Sequence, residues 1–256
     1  MSQNCLTLCE NLRYEVATDR SMEELYYEDV LMLSYDISLP KLRTQGAPIA
    51  YIPINQWYSN LAAQLRNHAR LELYPMAIED YQRRQEENFP FNPYDLTAVH
   101  QVTYTSSRLF STFEDVSEYT GGAHPNTTRG GQTWDLCKGT KLKLSDLFIQ
   151  NCNWREIIMS SIRRQARELA NQGVLFEDYE PMLLQYFDPE NFYLNDQGVV
   201  IFYPLYTIAP YVSGIITFVI SYNRLCSCLR HDLFCKSKPP RQNLLPIPPQ
   251  FTLGRL

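Results

Sequence analysis

Few side chains in this 256-residue chain are placed to do chemistry. His124 stands in a glycine-bent stretch, Gly121-Gly122-Ala123-His124-Pro125-Asn126. There an imidazole can serve as a general base or a ligand, or can hold the turn through hydrogen bonds. No second ligand or acid lies at a suggestive spacing, which favours the turn-holding role. Cys226, Cys228, His231 and Cys235 gather four soft donors within a short span, enough in number for tetrahedral zinc. Their spacing matches no common finger, so neither a metal nor any other cofactor is expected. The acid pairs Glu177/Asp178 and Asp188/Glu190 lack a partner placed by sequence. There is no GxSxG elbow, phosphate-binding loop or HExxH helix.

The totals narrow the class further. Lys and Arg number 23 against 28 Asp and Glu, giving a net charge of -5. The charges are interleaved, so no basic patch argues for nucleic acid. The 18 tyrosines favour sheets and binding surfaces. Seven cysteines cannot all pair within one chain, and their scatter reads as reduced thiols. The N-terminus has no basic region and no long apolar run, so a cytoplasmic protein is expected.

The elements that must position His124 follow from periodicity. Residues 1–27 read as a loose, acidic-ended arm. From Val30, Leu31, Leu33, Tyr35 and Ile37 share one face of a strand. Pro40, Gly46, Pro48 and Pro53 punctuate a connection, and Asn55 is placed as the N-cap of a helix running past Tyr74, with Pro75 kinking or dividing it. Leu96 to Ser106 and Leu109 to Tyr119 alternate as two antiparallel strands. The bend at Gly121-Gly122 then leads into a hairpin, Thr127 to Leu136 and Leu142 to Leu144, turning at Cys137-Lys138-Gly139-Thr140 and followed by a helical turn capped by Ser145-Asp146.

Asn153 and Glu156 open a second long helix that stops at Gly173, and a shorter one is expected from Glu180 to Tyr186. The uncharged run from Gln197 to Asn223 is long enough to cross a bilayer, but Pro204, Pro210, Ser213 and Gly214 interrupt it. It reads as two buried strands, Val199 to Tyr203 and Ile215 to Ser221, so no integral membrane segment is expected. Phe192 to Leu194 pairs with the first of these, and the second closes the sheet. Beyond Tyr222 a proline-rich tail is expected to be poorly ordered.

Three motifs in order, YTGGAHPNT, WDLCKGTKLKLSDLF and FYLNDQGVVIFYPLYTIAPYVSGIITFVISY, resemble the C-terminal domain of the RsiV-like anti-sigma-V factors, of DUF3298 type. Upstream, LSYDISLPKL with the helix that follows is similar to the module preceding the catalytic domain in a peptidoglycan deacetylase family, PdaC-like and of DUF4163 type. The resemblance implies an α+β fold of antiparallel sheets with packed helices in two abutting modules: an arm at 1–27, a PdaC-like module at 28–118, an RsiV-like domain at 119–222 and a tail at 223–256. It also implies a non-catalytic sensing domain outside the cell that binds lysozyme or a peptidoglycan fragment. No sigma-binding segment or membrane helix is expected ahead of the domain, so the resemblance does not imply sigma control. The implied ligand contacts are Tyr206, Pro210, Tyr211 and Ser213, with Gly121, Gly122 and His124 as scaffold. The alternative is a hydrolase or deacetylase of cell-wall carbohydrate that uses His124.

Overall fold

Two sheets stacked face to face, with helices on their outer sides, make an α+β protein; the computed structural model describes residues 14–44 and 50–234. Strand β2 (Val30–Thr44) buries Leu33, Tyr35, Ile37 and Leu39 at alternate positions, as the periodicity requires. Its antiparallel neighbour is β1 (Tyr14–Tyr27), which corrects the loose arm for these residues. The two join at Glu28-Asp29, both at positive φ (49° and 62°), the backbone of a tight hairpin turn.

β2 lies parallel to β3 (Tyr94–Thr105), and a parallel neighbour requires a crossover. The crossover is helical: α1 (Tyr51–His68), a π-helical segment (Ala69–Leu73) and α2 (Tyr74–Glu86). Asn55 does not cap it. The helix begins at Tyr51, and Pro53 is tolerated because the first turn needs no backbone donor. The Asn55 amide instead clamps β2, accepting from Leu42 N–H at 2.8 Å and donating to Leu42 C=O at 2.9 Å. Pro75 does deform the helix, for the π-helical segment lies immediately before it, where proline supplies no donor to the preceding turn.

β4 (Leu109–Tyr119), β5 (Asn126–Asp135) and the short β6 (Thr140–Lys141) continue antiparallel, giving the order β1-β2-β3-β4-β5-β6. The turn of Leu144–Leu147 follows, with Asp146 accepting from Lys143 N–H. Even-numbered residues of β4 face the helices, and odd-numbered ones face a second sheet, β7 (Phe192–Leu194), β8 (Gly198–Tyr203) and β9 (Ile216–Ser221). The Ile216–Ser221 strand therefore closes this three-stranded sheet and not the long one. Ser111 Oγ stitches the layers, donating to Gln132 C=O and accepting Leu194 N–H. At Gly131 a Cβ would lie 2.0 Å from Phe192 O, so only glycine lets β7 come this close. Helices α3 (Trp154–Asn171) and α4 (Tyr179–Gln185) cover the outer face of the second sheet.

The run from Gln197 to Asn223 resolves into β8, a loop and β9, and among the described residues no helix is long and apolar enough to cross a membrane. After Tyr222 the described chain is ordered, contrary to expectation. Leu225, Cys228, Leu229 and Leu233 are buried in the core of the second layer, and Cys228 forms a disulfide with Cys152, Cα atoms 5.6 Å apart. Cys137 is disulfide-bonded as well. The thiols are therefore not all reduced: an odd count forbids complete pairing but not partial pairing, and Cys226 remains free and exposed. The candidate zinc set fails for the same reason, because the sulfur of Cys228 is bonded to that of Cys152. Cys235 and the rest of the expected tail lie outside the described residues.

Candidate ligand-recognition site

The β4–β5 turn and the β8–β9 loop come from different sheets and meet at one end of the molecule. Gly121, at φ +77°, bends the first of them. Gly122 has open space around it, so its lack of a side chain is not required by packing. The bend brings His124 to the surface, where its ring lies against Tyr211, centroids 3.8 Å apart and planes 18° apart. Tyr206 joins them, its ring 5.6 Å from that of Tyr211.

Hydrogen bonds fix this cluster. The Tyr211 hydroxyl donates to Pro125 O at 2.8 Å. His124 Nδ1 faces the same carbonyl at 3.1 Å, so Nδ1 carries the proton there. In the neutral ring Nε2 is then the acceptor, and it receives the Tyr206 hydroxyl at 3.2 Å. Neither nitrogen meets a carboxylate among the described residues. The loop is anchored from beneath by the buried Ile208 and Ala209 and by Phe176 N–H donating to Ile208 O.

Tyr206 has φ +62°, a backbone that bulky side chains rarely adopt, yet the residue is 55% exposed. Val212, 82% exposed, extends the apolar surface on the 3₁₀ turn Tyr211–Ser213 that Pro210 introduces. Ser213 is tied inward, donating to Val174 O at 2.8 Å. The structure thus brings Tyr206, Tyr211 and His124 together and gives Ser213 a scaffold bond.

A second polar concentration, which sequence reasoning missed, lies beneath α1. Tyr58 OH donates to Thr112 Oγ1 (2.8 Å), which donates to Glu114 Oε1 (2.6 Å). Burial pushes the Glu114 carboxyl up to about 7, with Thr112, Gln132, Tyr58 and Lys141 pulling the other way. Glu114 Oε2, Gln132 Oε1 and Trp134 Nε1 have no hydrogen-bond partner among the described residues. Across the ladder His100 stands opposite Glu114, lowered by burial, its Nδ1 donating to Ser38 O. The signal was present, since Glu114 shares its strand face with Phe110 and Val116. Only 2% exposed, this carboxyl lies within the core and not at the surface.

His68 bridges elements at the helix–sheet junction, Nδ1 to Glu72 at 3.0 Å and Nε2 to Glu118 at 2.8 Å. Partial burial draws its pKa down, but the two carboxylates outweigh this and leave it raised.

Comparison with known proteins bears on both layers. A family model described as Deacetylase PdaC matches residues 28–127, and one described as a protein of unknown function (DUF3298) matches residues 145–223. The crystal structure of a DUF3298 family member from Bacteroides fragilis superimposes with a TM-score of 0.60 at 19% identity, covering 86% of this chain and 94% of that one. A DUF3298 family protein from Pseudomonas aeruginosa PAO1 gives a TM-score of 0.56 at 20% identity, covering 90% and 98%. At these identities the likeness concerns the fold. No curated protein matches the chain.

Proposed function

Starting from a chain in which a PdaC-type domain precedes a DUF3298 domain, we propose that the protein is a non-catalytic recognition protein whose His124–Tyr206–Tyr211 surface meets a cell-wall-associated protein or wall fragment. One observation carries this reading: an exposed tyrosine is held in a left-handed backbone conformation. That conformation costs roughly 1–2 kcal/mol for a residue with a Cβ, and burial of the ring does not repay it. Strain of this kind collects at ligand-contacting positions. Tyrosines on an anchored loop offer large contact area with little rotamer entropy to lose.

The resemblance to anti-sigma-V factors makes lysozyme the first ligand to try, and peptidoglycan fragments the second. The Cys152–Cys228 disulfide supports an oxidising compartment, where such ligands are found. A deacetylase or hydrolase reading is supported by the accessibility of His124, but among the described residues no acid orients the ring and its two nitrogens are held by Pro125 and Tyr206.

Calorimetric titration of the protein with lysozyme, and separately with soluble peptidoglycan fragments, tests the proposal. Binding to one of them, weakened at least ~10-fold by Tyr206→Ala and by Tyr211→Ala, is the expected result. Absence of binding to either sinks it, and release of acetate from wall glycan that disappears in His124→Gln replaces it with the catalytic reading.

A further inference from the structure

A seam runs between the edge strand β1 and helix α1. Along it the helix-facing positions of β1 are Asp19, Ser21 and Glu23, set two residues apart as a strand demands. The helical crossover answers with Arg66 on α1 and Arg70 on the π-helical segment that continues it, four residues apart. At one level the seam is latched: Arg70 grips Glu23 with two bonds, of 2.9 and 2.7 Å. At the next level the strand offers Ser21 in place of an acid, and Arg66 makes a single long bond of 3.5 Å to its hydroxyl. Here the seam opens into a cavity of about 100 Å³, lined by Asp19, Arg20, Ser21, Ile37, Ser59, Ala62 and Arg66.

The charges around the opening leave one cation over. Arg20 is held by Asp36 in a bidentate pair, and Lys41 stands 3.4 Å from Asp19. Asp19 is taken by Lys41, and among the described residues Arg66 alone of these three cations makes no ion pair, while a guanidinium presents its donors in a planar fork suited to a carboxylate. Ile37 and Ala62 supply an apolar floor, and Ser21 and Ser59 supply hydroxyls. The volume is about three times a water's share of the liquid and falls short of the roughly 300 Å³ at which whole-ligand sites begin. It accommodates a terminal group, not an entire ligand.

We propose that this cleft binds a carboxylate at the end of a ligand, which takes against Arg66 the place that Glu23 takes against Arg70. The site lies in the helix–sheet layer and stands or falls independently of the His124 surface. A carboxylate of this size occurs at a peptide terminus or on an acidic sugar, and both present the same chemistry to the guanidinium.

Titration of the isotope-labelled protein with acetate, N-acetylalanine and glucuronate, followed by amide shifts against a sodium chloride control, provides the test. The expected result is saturable movement of the amides of Ser21, Ser59, Ala62 and Arg66 for at least one of the three. Arg66→Gln should weaken it ~10-fold or more, the loss of a charge-assisted pair. Ser21→Glu should block it by supplying the carboxylate from within while leaving the rest of the spectrum in place. Preference for N-acetylalanine assigns the ligand to a peptide terminus, and preference for glucuronate assigns it to a sugar. The proposal is overturned if no shift saturates by ~50 mM, where even a millimolar site is filled, or if Arg66→Gln responds as the parent does.

Discussion

The hydroxyl of Tyr206 reaches Nε2 of His124 at 3.2 Å across 82 residues of chain, and the backbone of Tyr206 is strained where it does so. A glycine would adopt the same φ without penalty. Tyr206→Gly is therefore expected to leave stability unchanged or to raise it by up to ~1 kcal/mol, despite losing an exposed hydrogen bond and a ring contact. Urea unfolding of parent and variant measures this. A loss above ~2 kcal/mol would show that the ring holds the fold together and undercut its assignment to recognition.

Glu114 makes stability depend on pH in a definite direction. Its carboxyl titrates near 4.5 when unfolded and at about 7 in the folded protein. Below the lower value both states are protonated and nothing is lost. As pH rises through this interval the unfolded state releases its proton first, so stability falls, by about 3 kcal/mol once pH exceeds the folded value. Glu114→Gln stays neutral and should escape that decline, so the variant gains on the parent between pH 5 and pH 8. His68 also loses its contribution as pH rises through its raised pKa, but it does so in both proteins and cancels in the difference. Parallel curves in guanidinium unfolding across this range would show that Glu114 does not carry the proton in the core.

The disulfide Cys152–Cys228 closes a loop with a sequence separation of 76 and pins the segment after Tyr222 to the second layer. Its removal by Cys152→Ser with Cys228→Ser should cost about 2–5 kcal/mol and expose the segment carrying Leu225, Leu229 and Leu233 to proteolysis. Limited digestion with and without reductant checks this on the parent, cleavage after Arg230 being expected only when the bond is open. Equal digestion under both conditions would show that packing alone holds the segment.

The strands and helices whose burial is one-sided were legible from the chain itself. β2, β3 and β4 alternate apolar with polar residues, and the glycine at Gly173 ends α3. A period of two or of 3.6 states which face is buried, and that information is local. β1 is not legible as a strand because its helix-facing positions carry Asp19, Ser21 and Glu23, which meet the Lys41 ammonium and the Arg66 and Arg70 guanidinium groups and do not enter an apolar core. Asn55 was misplaced for a related reason: an amide that bonds the backbone of a distant strand has the same local appearance as a cap.

The site itself belongs to the tertiary structure. His124 and Gly121 were legible as a bend, and Tyr206 and Tyr211 as an aromatic loop, but nothing in either stretch says that the two would touch. Their meeting depends on Gly131 letting β7 close on β5, on Ser111 bonding across the layers, and on the second sheet being separate from the first. The sequence alone determined which faces of these elements must be buried. Which buried face meets which, and therefore which residues converge, is decided by the packing of whole surfaces, because only there do shape, volume and hydrogen-bond partners become complementary at once.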